Sequence, residues 1–320
     1  MTVENPEFAR KLISIFSQNY EELKTYHLCS EKQIVLRDSE PDKCRFCGRK
    51  KSPQGSPAIT FKKTAHAIPH FIGNRVLISR YECDYCNEKV FSPLESHFSE
   101  YMKLSHAIAP VSPGKKYPKI KSKPHEQSNI TAVSNQMIEA EFYEGDSLNW
   151  THNESEKTLT IAAKRSYTPQ NVYRLLVKMG LTIMPEDELG YFKNTLKWLQ
   201  SKSSQISNSF LLRERVYNTT RFPFISCMIY KRKTNHRDKV PAYLFGLAYS
   251  HFFLQMALPF CAADEECYSP GEQLIIPYIP TILDDKRVTC QDVNLSSAER
   301  TSNEDISITI GYESAEKNII

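Results

Sequence analysis

Apolar side chains recur at helical spacing in two parts of the chain. Residues 6 to 28 place them three or four positions apart, with Glu and Lys between them, and this pattern predicts an N-terminal helix. Thr168 and Pro169 supply a cap and a first-turn proline for a second amphipathic helix, and Pro185 ends that helix and opens a third. The apolar positions of the three helices are Phe8, Leu12, Ile15, Phe16, Tyr20 and Leu23; Val172, Leu175, Leu176, Met179 and Ile183; and Leu189, Phe192, Leu196 and Leu199.

Alternating, β-branched and aromatic runs predict strands on both sides of residue 110. On the N-terminal side, an extended segment at 58–68 and a strand at 76–81 flank a turn at Pro69 and Gly73, and a helix is expected to follow at Asn87. On the C-terminal side, residues 137–143 and 158–163 are expected to pair with each other. Further strands are expected at 222–230, 242–253 and 274–279.

These changes of pattern divide the chain into five segments. A helical segment covers residues 1–39, and a cysteine-bounded module covers 40–109. Residues 110–129 form an extended basic connector, because 110–128 contains four prolines and five lysines. A separate α+β domain covers 130–288, and residues 289–320 form a polar tail that is expected to be partly disordered. The predicted fold class is therefore α+β, in two main parts.

Composition places the chain among ordinary globular proteins. The 320 residues are 40% hydrophobic and 24% charged, and only 10 are glycine, which excludes fibrous and disordered classes. No apolar run approaches the roughly 18 residues that a membrane span needs. The first residues carry early acids and no apolar core, which is unlike a secretory signal. We therefore expect a cytoplasmic protein with no membrane partner.

The net charge of +4 hides an uneven distribution. Between Lys43 and His125 there are 16 Lys and Arg against 5 Asp and Glu, a local net charge of +11, so the rest of the chain carries −7. A basic block beside an acidic one is typical of a protein that binds a polyanion, although a solvated basic surface without a partner explains the count equally well.

The nine cysteines include two CxxC pairs, at Cys44 and Cys47 and at Cys83 and Cys86. Four thiolates in two such pairs form the closed tetrahedral set that structural Zn²⁺ prefers. A disulfide framework does not fit an odd number of cysteines in a reducing compartment, and redox CxxC motifs do not occur in facing pairs. The sequence therefore predicts one structural zinc ion.

The residues between and around these pairs carry a family resemblance. The strings KTAHAIPHFIGN and YECDYCNEKVFSPLE resemble a zinc-knuckle HNH endonuclease, a bacterial member of the ββα-metal nucleases. Residues 167–199 also resemble the C-terminal part of bacterial proteins of this kind. The resemblance implies a ββα-metal module, with His66 as the general base and Asn87 as a ligand of one catalytic Mg²⁺ or Mn²⁺.

The chain departs from the family pattern at one position. The residue before the base is usually a metal-binding acid or histidine, and here it is Ala65. Candidates for the missing ligand are His70, Asn74, Asp84 and Glu95. The expected chemistry is phosphodiester hydrolysis, in which a histidine accepts a proton from water and the cation stabilises the leaving oxygen. Asn87 has an alternative role as a helix cap, and His66 as a packed core histidine.

Basic residues around the predicted hairpin and along the connector are candidates for nucleic-acid contacts, with DNA favoured as the partner. They are Lys62, Lys63, Arg75, Arg80, Lys115, Lys116, Lys119, Lys121 and Lys123. The alternative to an endonuclease is a non-catalytic zinc protein that binds nucleic acid on a degenerate HNH scaffold, or one in which the zinc only supports folding. For the C-terminal domain, target recognition and a homo-oligomer interface are both open.

Overall fold

The chain folds into a mixture of helices and strands, as the sequence predicts. A computed structural model describes residues 2–3, 6–109, 119–121, 125–134, 137–201, 210–236, 238–265, 267, 274–283 and 288–314. Predictions for Lys115, Lys116 and Lys123 lie outside these residues.

The described residues form six α-helices, of which two follow the second cysteine pair and two lie in the middle of the chain. The α-helices are α1 (Pro6–Asn19), α2 (Ser92–Tyr101), α3 (Lys103–Ile108), α4 (Pro169–Ile183), α5 (Lys193–Gln200) and α6 (Ala262–Glu265). Short 3₁₀ segments lie at His70–Ile72 and Glu186–Phe192, and a π-helical turn at Cys86–Phe91 leads directly into α2.

The strands form one large sheet and three small ones. They are β1 (Thr2–Val3), β2 (Tyr20–Leu28), β3 (Ile34–Leu36), β4 (Ala65–His66), β5 (Leu77–Ser79), β6 (Lys119–Lys121), β7 (Asn129–Ala132), β8 (Ile138–Glu141), β9 (Asn149–Asn153), β10 (Thr158–Arg165), β11 (Leu211–Tyr217), β12 (Ile225–Arg232), β13 (Tyr243–Tyr249), β14 (Phe252–Ala257), β15 (Val288–Asn294) and β16 (Glu304–Gly311). The large sheet is antiparallel, in the order β1-β15-β11-β14-β13-β12-β2. The small sheets have the orders β16-β10-β9, β3-β5-β4 and β6-β7-β8.

Helix α1 connects the two edges of the large sheet. It follows β1, which pairs with β15 at one edge, and precedes β2, which pairs with β12 at the other. Its 14 residues span about 21 Å, and seven strands about 4.8 Å apart span about 29 Å. Phe16 from this helix and the adjoining Tyr20 pack with Leu244 and Phe253 of the sheet in a second hydrophobic cluster.

The main hydrophobic core joins the cysteine-bounded segment to helix α4 and the large sheet. One continuous cluster includes Phe46 and Phe91 from that segment, Leu176 from α4, and Phe245 and Leu254 from the sheet. The predicted boundaries between a nuclease module and a separate second domain stay a prediction. These two parts of the chain nevertheless share one core.

Helix α4 is buried almost all the way round. The five apolar positions predicted for it are each at most 2% exposed, and the polar side chains of Arg174 and Lys178 are buried as well. Thr168 occupies the N-cap position and Pro169 the first turn, as predicted, but the Thr168 side chain makes no capping hydrogen bond. Gly180 allows close approach to the sheet, since a Cβ there would lie 3.0 Å from the Leu258 side chain. Because α4 contacts both the sheet and α2, it lies at the centre of the molecule.

The predicted N-terminal helix is too long. It ends at Asn19, whose side-chain amide donates to the Ile15 carbonyl at 2.8 Å, and residues 20–28 form β2 instead. The segment YEELKTYHL has no regular alternation of apolar and polar residues, but its backbone pairs with β12 along the sheet edge. Strand pairing therefore outweighs the helix propensity of Glu and Lys in this segment.

Four predictions about strands also need correction. Strands occur within 137–143 and 158–163, but the first pairs with β7 and the second with β9 and β16. At 58–61 there is a single bridge, from Ser52 to Ile59. Residues 274–279 are extended without a ladder, because their carbonyls accept side-chain donors such as Arg213 and Gln255. The tail expected to be polar and partly disordered contains β15 and β16.

Helices that could cross a membrane are absent from the described parts of the chain. The longest helices, α1 and α4, have 14 and 15 residues.

We predict that His106 makes the fold sensitive to acid. The ring is fully buried between helix α3 and the sheet, with Nε2 3.0 Å from the Tyr249 hydroxyl, and burial lowers the pKa of His106 to about 3. A histidine in the unfolded chain has a pKa of about 6.5. The unfolded chain therefore binds the proton first, and the stability contributed by the neutral ring is lost as the pH falls from about 6.5 towards 3.

Urea unfolding at pH 7 and pH 5 tests this prediction. Between these values the native chain should lose about 2 kcal/mol more stability than a His106→Gln variant, at about 1.4 kcal/mol per pH unit below 6.5. The exposed His125 provides the control, since His125→Gln should follow the native chain. Equal pH dependence of the native protein and His106→Gln would contradict the assignment.

Candidate functional site

The four paired cysteines meet in one cluster. Their Sγ atoms all lie within 4.8 Å of one another, at 3.8 Å for Cys44 to Cys86 and 3.9 Å for Cys47 to Cys83. A tetrahedron with Zn–S bonds of about 2.3 Å has edges of about 3.8 Å, whereas a disulfide needs about 2.05 Å. The cluster therefore fits a tetrahedral metal ion such as zinc.

Nitrogen donors surround the sulfur atoms. The Cys83 and Cys86 amides each point to a cysteine Sγ at 3.5 Å, as is usual in a zinc knuckle. Arg49 donates from Nε to Cys47 Sγ at 3.3 Å, and Gln200 of α5 donates from Nε2 to Cys86 Sγ at 3.7 Å. Hydrogen bonds among the four cysteines lower the pKa of the Cys47 and Cys83 thiols and raise that of Cys44 and Cys86. The Arg49 guanidinium and the backbone amides stabilise sulfur as thiolate, the form that binds metal.

The first cysteine pair is docked on the C-terminal end of α4. Arg45, between the two cysteines, donates to three carbonyls at that end, and its guanidinium also pairs with Asp38 and lies 3.9 Å from the centre of the Tyr81 ring. The three acceptors are Leu181, Thr182 and Met184, at 2.8, 3.1 and 2.7 Å. A cation at this position satisfies carbonyls that the helix leaves unpaired and complements its dipole.

His66 lies on the short hairpin between the cysteine pairs. It occupies β4, pairs with Ile78 of β5, and is half-buried. Its Nδ1 is buried and has no hydrogen-bond partner among the described residues. Burial, then His70 and then Lys178, lower the pKa of His66. The ring of the exposed His70 lies 5.4 Å away, centre to centre. Because an imidazolium needs a partner for each N–H, this environment favours the neutral ring.

A buried ion pair lies directly behind His66. The Lys178 ammonium is 2.9 Å from Glu82 Oε2 and donates to the His66 carbonyl at 3.0 Å. The side chains of Lys178 and Glu82 are 4% and 0% exposed. The Glu82 contact is an ion pair without the angle of a good hydrogen bond, and burial raises the pKa of Glu82 although Lys178 lowers it. Neither residue was among the predicted site residues.

Asn87 lies inside the π-helical turn that follows the second cysteine pair. Its amide N–H donates to the Cys83 carbonyl at 3.0 Å, as part of the knuckle. The turn begins at Cys86, and no side chain caps it, so the alternative role of Asn87 as a helix cap is not observed. The half-buried Asn87 side chain has no hydrogen bond to any residue that the structure describes, and it is available as a ligand.

Two of the other candidate ligands have structural roles. Asn74 is 1% exposed, and its side chain makes four hydrogen bonds across the turn between β4 and β5. Asp84 accepts hydrogen bonds from the Thr60 hydroxyl and from the amides of Lys62 and Lys63, at 3.0 and 2.9 Å for the two amides. The side-chain oxygen atoms of Asn74 and Asp84, which a cation would bind, therefore already accept hydrogen bonds from within the protein.

Glu95 and His70 remain available. Glu95 lies on α2 and is half-buried; burial raises the pKa of its carboxyl group, Lys178 lowers it, and Glu82 raises it. His70 is exposed at the start of its 3₁₀ segment. Ala65 is 1% exposed, and its methyl group has no atom that can bind a cation. His97, by contrast, accepts from the Thr168 amide and connects α2 to the start of α4.

The cysteine cluster is the only group of three or more His, Cys, Asp and Glu ligands found close together in the described residues. A second cation near His66 would therefore depend on one or two protein ligands, together with water and substrate.

The predicted basic residues differ in their environment. Lys62, Arg75 and Arg80 are exposed, and Lys63 is paired with Glu88. On the connector, Lys119 and Lys121 lie on β6, which pairs with β7, and the Lys119 side chain is exposed.

We predict that the isolated protein contains one zinc ion per chain. Removing it with a strong chelator should lower the midpoint of thermal unfolding by about 10 °C or more, since metal binding contributes to folding. Cys83→Ser should lose the ion, whereas the exposed Cys29→Ser should keep it. Elemental analysis and calorimetry provide the measurements. A Cys83→Ser protein with an unchanged zinc content would show that the cluster is not the metal site.

No family model matches this chain, and no curated protein or solved structure is detectably similar to it. The resemblance to HNH endonucleases therefore stays a prediction from the quoted residues.

Proposed function

We propose that the protein is a metal-dependent endonuclease that hydrolyses phosphodiester bonds, with DNA as the favoured substrate. His66 acts as general base, and Asn87 is a ligand of one divalent cation. The observation that carries the proposal is the environment of His66. The imidazole is half-buried on the hairpin between the two cysteine pairs, its pKa is lowered, and its Nδ1 is not engaged by any described residue.

A general base for hydrolysis must be unprotonated at the working pH and within reach of water. Burial, followed by His70 and Lys178, lowers the pKa of His66 and favours a neutral ring near pH 7, and the ring is only partly buried. The same ring as a packed core histidine would have both nitrogens buried or bonded. The half-exposed ring therefore favours the base over the structural role.

The donors that internal hydrogen bonds leave available are Asn87, Glu95 and His70. When bound, Mg²⁺ or Mn²⁺ polarises the phosphate and stabilises the leaving oxygen. Mg²⁺ is commonly held by one or two carboxylates together with substrate phosphates, so a prebuilt cage of three ligands is not required. Glu95 is the candidate acid that remains to replace the one missing at Ala65, because Asp84 is hydrogen-bonded to the amides of Lys62 and Lys63.

The basic surface supports a polyanionic substrate. Lys62, Arg75 and Arg80 are exposed on the segment that carries His66, within the region of local net charge +11. Contacts of this type hold a phosphate backbone without selecting a sequence.

One observation favours a second function. Ala65 is buried, and the cysteines are the one close group of three or more metal-ligating side chains that the described residues contain. A protein that binds nucleic acid on this scaffold without cutting it would have these properties.

Plasmid nicking separates the two functions. With Mg²⁺ or Mn²⁺ added to the zinc-loaded protein, we expect nicking, and His66→Ala should reduce its rate by about 10²- to 10⁴-fold, the usual contribution of a general base. His125→Ala, an exposed histidine elsewhere, should cut at the native rate. Nicking by His66→Ala at the native rate would remove His66 from the mechanism, and a native protein that binds but does not cut would favour the second function.

Salt dependence tests the basic surface. If Lys62 and Arg80 contact phosphates, Lys62→Gln with Arg80→Gln should reduce the slope of log K against log[salt] by about 2. Lys157→Gln with Lys193→Gln removes two exposed charges outside residues 43–125 and should leave the slope unchanged. Equal slopes for the native protein and the first double variant would place the nucleic-acid interface elsewhere.

A further inference from the structure

The strand that carries His66 is weakly held by its own sheet. β4 has two residues, Ala65 and His66, and lies at the edge of the order β3-β5-β4. Its pairing is limited to Ser79 and Ile78 of β5, with one further bond from the Ala67 amide to the Leu77 carbonyl at 3.1 Å. So short an edge strand has little intrinsic stability. The direction of the His66 side chain must therefore be fixed by additional contacts.

Lys178 supplies such a contact from outside the cysteine-bounded segment. Its Nζ donates to the His66 carbonyl at 3.0 Å and lies 2.9 Å from Glu82 Oε2. The ammonium also lies 5.5 Å from the centre of the Phe91 ring and 6.0 Å from that of Phe46. The side chain is 4% exposed, so this ammonium cannot contact a bound substrate directly.

Stability alone does not account for a charge at this position. Replacing a buried ion pair with apolar side chains of similar size is often neutral or stabilising, because both charges lose their hydration. The neighbours of Lys178 on α4, Val177 and Met179, are 0% exposed and apolar. An apolar residue would therefore fit at this position of the helix. The contacts of the ammonium with the His66 carbonyl and with Glu82 explain why a lysine is present.

We propose that Lys178 is a positioning residue for His66. Helix α4 delivers an ammonium that fixes the His66 carbonyl, and Glu82, next to Cys83, fixes the ammonium in turn. The hairpin is thereby locked to both the cysteine cluster and the central helix. This inference rests on the proposed endonuclease function for its catalytic consequence, although the locking of β4 is independent of that function.

Two variants separate positioning from stability. Lys178→Met leaves Glu82 buried without its partner and should lower the unfolding midpoint by about 10 °C. Lys178→Met with Glu82→Gln removes both charges and should recover most of that loss. In the double variant kcat for plasmid nicking should nevertheless remain at least tenfold below native, with KM within twofold. The matched control is Lys231→Met with Glu188→Gln, an ion pair at 2.5 Å elsewhere in the fold, which should leave kcat unchanged.

Hydrogen exchange gives a measurement that does not depend on nicking. In the double variant the amides of residues 65–68 should exchange at least tenfold faster than in the native protein, while those in the middle of α4 keep their rates. Native exchange at 65–68 in the double variant would overturn the proposal, and so would native kcat. If the native protein does not cut nucleic acid, the endonuclease proposal fails, and the exchange rates alone decide whether Lys178 fixes β4.

Discussion

The arrangement of this molecule depends on two cations buried against one helix. Arg45 closes the C-terminal end of α4 from within the first cysteine pair, and Lys178 projects from α4 to Glu82 beside the second. Each interaction crosses more than 90 residues of sequence, so together they fix the cysteine-bounded segment on the core. Buried charges are best tolerated when their hydrogen-bonding capacity is used: Arg45 donates to three backbone carbonyls, and Lys178 donates to one and has Glu82 as its ionic partner. Because geometry is demanding in such contacts, they specify one docked position.

The elements that sequence predicts well are those with a strong local cause. Helix α4 has a cap, a first-turn proline and a full apolar stripe, and it begins and ends as expected. The cysteine cluster follows from spacing and sulfur chemistry. The strand at 20–28 was missed because its partner, β12, lies about 200 residues away and no local pattern reveals it. The pairing of 137–143 with 158–163 was wrong for a related reason, since each segment found a different neighbour that the alternation of residues does not identify.

The candidate site likewise contains residues that the sequence points to and residues whose roles only the folded structure reveals. The family resemblance points to His66 and Asn87, and among the described residues neither His66 Nδ1 nor the Asn87 side chain has a hydrogen-bond partner. Asn74 and Asp84 belong to the same motif, but their oxygen atoms are used by loop amides, which only the folded backbone reveals. Lys178 had a signal that could have been noticed. A lysine in the run LLVKMGL on an apolar helix must be buried, and a buried ammonium needs an acidic or carbonyl partner.

The way in which helix α1 connects the two edges of the large sheet has a consequence for biosynthesis. The strands that flank it close the sheet on opposite sides, and one of them pairs with β15, which is translated more than 280 residues later. Strand β1 must therefore wait until β15 has been synthesised before both edges of the sheet are covered. During that interval the exposed backbone of β11 offers hydrogen-bonding groups to other nascent chains, so correct folding in the cell requires that this edge be protected until β15 has emerged.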